Sequence, residues 1–152
     1  MPRRVRRPKQ HVGLFASLTD SAKEGPFDTY KDVLLFASAL GFERDCRKPF
    51  DSTEEPIAWD VFKPSDRAIV NLISLADQGE LAVLSDDRIE ERITVFEEYA
   101  NGGLEILERE VISGTRTIMS SLIDLLIETK HTDDSNALPD LEDISRMLGD
   151  DD

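Results

Sequence analysis

Apolar residues recur at helical spacing along residues 89–111. The stripe consists of Ile89, Ile93, Phe96, Ala100, Leu104, Leu107 and Val111. Steps of three and four residues place these side chains on one face of an α-helix. Ser85 and the two acids after it precede the stripe, and acids in the first turn complement the positive end of a helix. The sequence therefore predicts one long helix that begins near Ser85.

The triplet Asn101-Gly102-Gly103 consists of residues that disfavour a helix, but it does not break the helical spacing of the apolar residues. An Asn-Gly pair often marks a hairpin. The apolar spacing nevertheless continues on both sides of the triplet. We therefore expect a kink or a close helix contact, with Gly102 and Gly103 as the closest packing point.

Four further helices are predicted from apolar spacing and end signals. They cover residues 9–18, 30–40, about 65–79 and about 113–130. In the second of the five, Thr29 and Asp32 resemble a capping box, and Gly41 stands at the C-terminal cap position. Ser65 or Asp66 is expected to cap the third. Its apolar stripe is Ile69, Leu72, Ile73 and Ala76. The stripe of the last helix is Ile118, Leu122, Ile123, Leu125 and Leu126.

Strand signals are few. Residues 3–7 suit one short strand, and the segment from Ile57 to Phe62 is rich in residues that favour strands. The predicted fold is mainly α with a minor α+β character. We expect a compact helical domain of about five helices, a short N-terminal strand and one or two short strands around residues 47–62.

Charge divides the 152-residue chain, whose formal net charge is −14. Residues 1–9 carry five cations and no acid, whereas residues 131–152 carry eight acids and one arginine. This distribution predicts a basic arm (1–9), a single mostly helical domain (10–130) and an acidic, disordered tail (131–152). Since the body and tail repel polyanions, any DNA contact should concentrate in the arm. The candidate nucleic-acid-binding residues are Arg3, Arg4, Arg6, Arg7 and Lys9.

The arm has two other interpretations. A solvated, flexible terminus explains its charge equally well. Strand, helix, helix is also the order of a ribbon-helix-helix module, in which two chains pair their strands and insert alternate side chains into the major groove. Residues 3, 5 and 7 of a strand would then face one way and residues 4 and 6 the other. Pro8 at the strand's exit and the long loop between the first two helices argue against this module.

Catalytic and metal-binding patterns are sparse, so we expect no enzyme, no cofactor and no metal site. His11 and His131 fall beside the arm and in the tail, where surface histidines without function are expected. Cys46 is expected to be a packing or surface residue, although neighbouring cations favour its thiolate. No glycine-rich phosphate loop is present. Adjacent acids such as Glu97 and Glu98 are expected on a solvated face.

One arrangement keeps a nuclease hypothesis open. Asp124, Glu128 and Lys130 loosely resemble the acid and Glu-x-Lys pattern of metal-dependent nucleases. That pattern requires a strand pair, whereas these residues end a predicted helix.

The sequence also bears on location. The longest apolar runs, such as residues 33–36, are too short to cross a membrane. No apolar core of about 7 to 15 residues follows the basic N-terminus, as a secretory signal would require. A cytoplasmic protein is expected.

Four blocks of sequence resemble one known family. They are Arg-Val-Arg-Arg-Pro-Lys (4–9), Gly-Pro-Phe-Asp-Thr-Tyr-Lys-Asp-Val-Leu (25–34), Ala-Leu-Gly-Phe (39–42) and Glu-Glu-Arg-Ile-Thr-Val-Phe-Glu-Glu-Tyr-Ala-Asn-Gly-Gly-Leu-Glu-Ile-Leu (90–107). Residues 4–112 are thereby similar to the dnd-system-associated proteins called DNA phosphorothioation-associated protein 4. Such proteins are encoded beside bacterial machinery that replaces a phosphate oxygen of DNA with sulfur and restricts unmodified invading DNA. The resemblance brings no catalytic residues to transfer.

The resemblance implies a non-catalytic accessory or adaptor in an anti-phage modification and restriction system. Its partners would be other proteins of the system, DNA through residues 1–9, and further copies of itself. Deletion of residues 1–9 is then expected to weaken binding without unfolding the body. The alternatives are a metal-dependent nuclease component and an acidic DNA mimic that regulates the same system.

Overall fold

The computed structural model of the chain describes residues 3–23, 25–112 and 116–133. These residues form five α-helices and one two-stranded antiparallel sheet. The elements are β1 (Arg4–Pro8), α1 (Val12–Thr19), α2 (Tyr30–Glu43), β2 (Thr53–Ala58), α3 (Pro64–Gln78), α4 (Ile89–Leu107) and α5 (Ile118–Asp133). The predicted mainly α fold with a small strand component is confirmed.

The long predicted helix is confirmed as α4, which lies at the centre of the fold. It follows a 3₁₀ turn at Asp86–Arg88 and continues past Leu107 into a π-helical turn at Glu108–Ile112. From Ile93 onward every residue of its predicted apolar stripe is buried. Side chains on its other faces are buried as well, because α2, α3 and β1 all contact it.

Glycines permit the close crossing of α2 and α4. A methyl group added at Gly103 would overlap the carbonyl oxygen of Ala37, and one added at Gly41 would overlap that of Tyr99. The prediction that Gly41 caps α2 is therefore wrong. The helix continues through it to Glu43, and the missing side chain serves the helix contact instead.

Gly102 has the same role toward the segment after α2. A methyl group there would overlap the carbonyl oxygen of Cys46, which is a half-buried free cysteine. The triplet at Asn101 is helical throughout. The expected close packing point at Gly102 and Gly103 is thus confirmed, and no hairpin forms there.

The two strands pair antiparallel within the chain. Arg4 faces Ala58 and Pro8 faces Thr53, with a register shift between Val5 and Arg7. This irregularity brings Pro56 opposite the middle of β1, where its lack of an N–H is tolerated.

The short strand predicted around residues 47–62 is confirmed as β2, although the strand-favouring segment from Ile57 to Phe62 contributes only its first two residues. β2 ends at Ala58, and a 3₁₀ turn follows at Trp59–Val61. The turn brings the Trp59 and Phe62 rings into a stack with centroids 5.2 Å apart, and both rings are buried. Burial of two aromatic rings on one side of a single turn outweighs their preference for a strand.

α3 differs from prediction at its start and in the face that it buries. Its N-cap residue is Lys63, not Ser65 or Asp66. The Asp66 carboxylate instead accepts a hydrogen bond of 2.9 Å from the Lys63 amide, and Pro64 occupies the first helical position. The predicted end is confirmed, because Gly79 adopts a left-handed conformation with φ 74°.

The predicted stripe of α3 is buried only at Ile73, whereas Ile69, Leu72 and Ala76 are exposed. The buried residues are Val70, Ile73 and Ser74. Asp66 and Asp77 lie on the same side as Val70 and form inward ion pairs, which orient the helix. Periodicity alone does not show which of two apolar faces such contacts select.

The predicted final helix is confirmed as α5, which ends at Asp133, three residues later than expected. Ser121, Leu122 and Leu125 are buried, but Ile123 and Leu126 of the predicted stripe are exposed. Residues 113–115 and 134–152, which include most of the predicted tail, lie outside the described residues. Within the described part of the chain, no helix has the length and apolar character that a membrane crossing requires.

Candidate functional site

β1 is fixed to the central helix by a buried carboxylate. The Arg6 amide donates to Glu97 Oε2 at 2.5 Å, and Arg6 Nε lies 3.1 Å from Glu97 Oε1. The Glu97 side chain is only 3% exposed, whereas that of Arg6 is 39% exposed. The Glu97 carboxylate therefore accepts a hydrogen bond from the Arg6 amide on the edge of β1. A second chain would need that amide for strand pairing. This geometry contradicts a ribbon-helix-helix arrangement at this strand.

Burial raises the pKa of Glu97, and the two Arg6 hydrogen bonds oppose the shift. The expected solvated position is thus wrong for Glu97. Helical geometry contains the signal that identifies it: at about 100° per residue, position 97 points about 20° from Leu104 on the apolar stripe, and position 98 points away from that stripe.

Arg7 is buried in the body. Its Nε donates to the carbonyl oxygen of Glu55 at 2.8 Å. Its guanidinium also lies over two rings, 4.7 Å from the Tyr30 centroid and 5.3 Å from that of Phe15. Cation–π contacts and a backbone acceptor thus stabilise the buried charge, and Arg7 is not presented to an external ligand.

The other three basic candidates lie on the surface. Arg3 Nε is 3.2 Å from Glu90 Oε1, and both side chains are well exposed. Arg4 and Lys9 are exposed, and neither side chain makes a hydrogen bond or ion pair with the part of the chain that the structure describes. The five predicted residues therefore do not form one cluster, because Arg6 and Arg7 are occupied within the fold.

His11 ends the 3₁₀ turn Lys9–His11 that follows β1, and it is buried, contrary to the expected surface position. Its Nδ1 is 2.8 Å from Glu108 Oε2, and its Nε2 is 3.0 Å from the Gln10 amide nitrogen. Gln10 in turn donates to Asn101 Oδ1 at 3.2 Å. These contacts join the start of α1 to α4 and to the π-helical turn that follows it, which favours a structural role for His11.

A shallow cavity of about 270 Å³ opens beside this network. It is lined by Pro8, Gln10, Pro49, Phe50, Asp51 and Ser52. Small-molecule sites generally begin at about 300 Å³ and are more enclosed. The Phe50 ring is instead engaged by Arg6, whose guanidinium lies 4.7 Å from its centroid.

A second polar cluster lies at the outer side of α4. Arg47 contacts Glu98 at 2.7 Å and Asp77 at 3.1 Å, and the Tyr99 hydroxyl donates to Asp77 at 2.5 Å. Burial, together with the bond to Asp77, raises the pKa of Tyr99 to about 12. A phenol that holds its proton so firmly is a structural donor and a poor general base.

The residues of the nuclease hypothesis lie on one helix. Asp124 pairs with Arg116, and Glu128 and Lys130 are exposed on the same α5. The strand pair that the nuclease pattern requires is absent at these positions. Within the described residues, no three His, Cys, Asp or Glu side chains lie close enough together to hold a metal ion.

The fold and these contacts define a small, mainly helical protein whose basic segment is bound into the fold at Arg6 and Arg7 and exposes its other three cations. No curated protein and no solved structure is significantly similar to the chain. Residues 4–145 do match a protein family, and the chain belongs to it: the DNA sulphur modification system-associated protein 4 family. The resemblance recognised in residues 4–112 is thereby confirmed, and the match extends through α5.

Proposed function

We propose that the chain is a non-catalytic adaptor of a DNA sulphur modification system and that it acts by binding another protein of that system. The family match over residues 4–145 carries this proposal. The geometry supports it, because the polar clusters around β1 and α4 are internally paired and serve to hold the elements together. Such a system would protect its bacterial host by modifying and restricting DNA.

DNA contact is a subordinate part of the proposal. It would be made by Arg4 and Lys9 with help from Arg3, since these cations face solvent. Two or three phosphate contacts would give a slope of about −2 to −3 for log K against log salt. On a chain of net charge −14, so few contacts favour weak binding without sequence preference.

The test is a titration of the full chain against each purified protein of the system, with DNA removed by nuclease treatment. We expect saturable binding to at least one of them. The double variant Arg4→Ala/Lys9→Ala should retain that binding and lose the contact with DNA. Failure of every system protein to bind would contradict the adaptor role.

Two further assays separate the alternatives. Cleavage of plasmid with Mg²⁺ or Mn²⁺ that is abolished by Glu128→Ala would support a nuclease. Competition between the chain and DNA for one site on a system protein would support an acidic DNA mimic, for which the net charge of −14 is the relevant observation. Homo-oligomerisation is a further part of the proposal.

A further inference from the structure

α5 presents a stripe of apolar side chains to solvent. The stripe consists of Met119, Ile123, Leu126 and Ile127, each of which is between 41% and 51% exposed. At about 100° per residue these four positions fall within a sector of about 100° on the helix surface, so they form one continuous face. We call this face the α5 stripe. A contiguous exposed apolar surface marks a place where another segment or molecule binds.

Lys130 continues the α5 stripe at its C-terminal end. Around the helix axis position 130 lies about 20° from Met119, and its side chain is exposed. The exposed acids Asp124 and Glu128 lie about 140° and 180° from Met119, away from the stripe. The stripe therefore offers apolar contacts along its length and a positive charge at one end. Its complement is an amphipathic segment that is rich in acids.

The chain beyond α5 contains a segment with these properties. Its apolar residues recur at helical spacing and are Leu141, Ile144, Met147 and Leu148. Asp140 and Gly149 flank them and are residue types that begin and end helices. Residues 140–148 carry three acids and one arginine. In a helical conformation this segment would be apolar on one face and mainly acidic elsewhere.

Two further observations connect the segment with α5. The family match extends to residue 145, so it includes the connection after α5 and the first half of the segment. That connection, residues 134–140, reaches at most about 23 Å even when fully extended, and connections of such length commonly join neighbouring helices. Residues 134–152 lie outside the described part of the chain. The α5 stripe is thus an apolar surface within reach of the segment.

We propose that residues 141–148 pack against the α5 stripe of the same chain. A helix of eight residues is not stable alone in water, so its apolar side chains require a surface. Attachment to α5 makes the contact intramolecular and gives the segment an effective concentration in the millimolar range. A second copy would have to overcome the repulsion between two chains of net charge −14. We therefore replace the expectation of a disordered tail at these eight residues by a docked segment.

The short connection favours an antiparallel arrangement of the segment on α5. Ile144 and Leu148 are four positions apart, which is a rise of about 6 Å in a helix. The same rise separates Ile127 from Ile123 on the α5 stripe. Ile144 would then meet Ile127, and Leu148 would meet Ile123. The acidic start of the segment would lie at the positively charged end of the stripe, where opposite charges attract.

Hydrogen exchange of the full chain, followed by mass spectrometry, tests the proposal. We expect the amides of residues 141–148 to exchange at least about 10-fold more slowly than in a synthetic peptide of residues 134–152, as for a segment docked about nine-tenths of the time. Ile123→Lys should remove this protection, because it places an ammonium group in the apolar contact. Leu72→Lys, at an exposed apolar residue of α3, should leave the protection unchanged.

Cross-linking tests the arrangement of the segment. Cys46 is the one cysteine of the chain, so that Ile127→Cys/Ile144→Cys in a Cys46→Ala background introduces a single pair. We expect mild oxidation in dilute solution to join this pair within one chain. Leu72→Cys/Ile144→Cys in the same background is the matched control and should form no such bond.

Exchange of residues 141–148 as fast as in the peptide would overturn the proposal, as would protection that survives Ile123→Lys. Disulfide-linked dimers in place of the bond within one chain would assign the α5 stripe to a second copy and contradict it equally. Circular dichroism should show that Ile123→Lys is folded. Ile144→Lys changes the segment and not α5, and it should also remove the protection.

Discussion

The amide of Arg6 and the carboxylate of Glu97 meet at 2.5 Å across 91 positions of sequence. This bond joins the first strand of the chain to its central helix. It satisfies a donor on the strand edge and places a carboxylate beside a guanidinium in a buried position. The basic segment is therefore a structural part of the fold at Arg6 and Arg7. Only its solvent-facing cations, Arg3, Arg4 and Lys9, can contact another molecule.

Replacement of Glu97 tests this arrangement. Glu97→Ala leaves the Arg6 amide and guanidinium without their acceptor, which should lower the free energy of unfolding by about 3 kcal/mol. Glu97→Gln keeps an acceptor oxygen and should cost about 1 kcal/mol or less. Urea unfolding at neutral pH measures both values. Equal losses in the two variants would show that packing, and not the hydrogen bonds, accounts for the effect.

The raised pKa of Glu97 predicts a specific pH dependence. Because the pKa in the folded protein lies above its ordinary value of 4.5, this group's contribution is fully present below that pH and is lost as pH rises through the folded pKa. The stability of wild type relative to Glu97→Gln should therefore decline as pH rises from 4.5. A difference that is constant with pH would contradict the assignment.

Asp66 should show the opposite sign. The hydrogen bond from Lys31 holds the pKa of Asp66 below its ordinary value of 3.8. Its contribution is therefore present above that pH and is lost as pH falls through the folded pKa. We expect Asp66→Asn to cost about 1 kcal/mol at neutral pH and progressively less in acid, as measured by urea unfolding across that range.

The helix crossing predicts contrasting effects of one methyl group. Gly103→Ala would force the Ala37 carbonyl away and should cost about 2 kcal/mol or more. Gly13→Ala, in α1, meets nothing within 4 Å and should stabilise by about 0.5 kcal/mol through helix propensity. Thermal unfolding of both variants checks the prediction. A Gly103→Ala protein as stable as wild type would mean that the helices need not approach so closely.

The basic segment should separate into structural and surface residues. Arg7→Ala removes a buried guanidinium and its ring contacts, so we expect a loss of about 2 kcal/mol. Arg4→Ala should change stability by less than about 0.5 kcal/mol. Deletion of residues 1–9 should unfold the body, because it removes β1 with the fully buried Val5. A stably folded deletion protein would restore the interpretation of these residues as a separable arm.

Local signals in the sequence identified much of the fold. Thr29 accepts the capping hydrogen bond from the Asp32 amide at 3.2 Å, and Gly79 ends α3 as expected. These predictions succeed because caps and terminal glycines depend on residues only a few positions apart. The long apolar stripe of α4 is equally local and equally clear.

The candidate site was harder to predict, since its contacts join distant residues. Nothing near Arg6 in sequence indicates Glu97, and nothing near His11 indicates Glu108. Gly41 is of the residue type that often ends a helix, but here it lies inside α2. Its missing side chain makes room for the carbonyl oxygen of Tyr99 on α4. Such residues depend on tertiary packing, which a single sequence specifies only through the fold as a whole.

Direct binding between the purified, DNA-free chain and the purified proteins of its DNA sulphur modification system is the most decisive measurement. The account predicts a complex with at least one of them that survives nuclease treatment and the Arg4→Ala/Lys9→Ala substitution. The account is contradicted if the chain forms no such complex with any of these proteins.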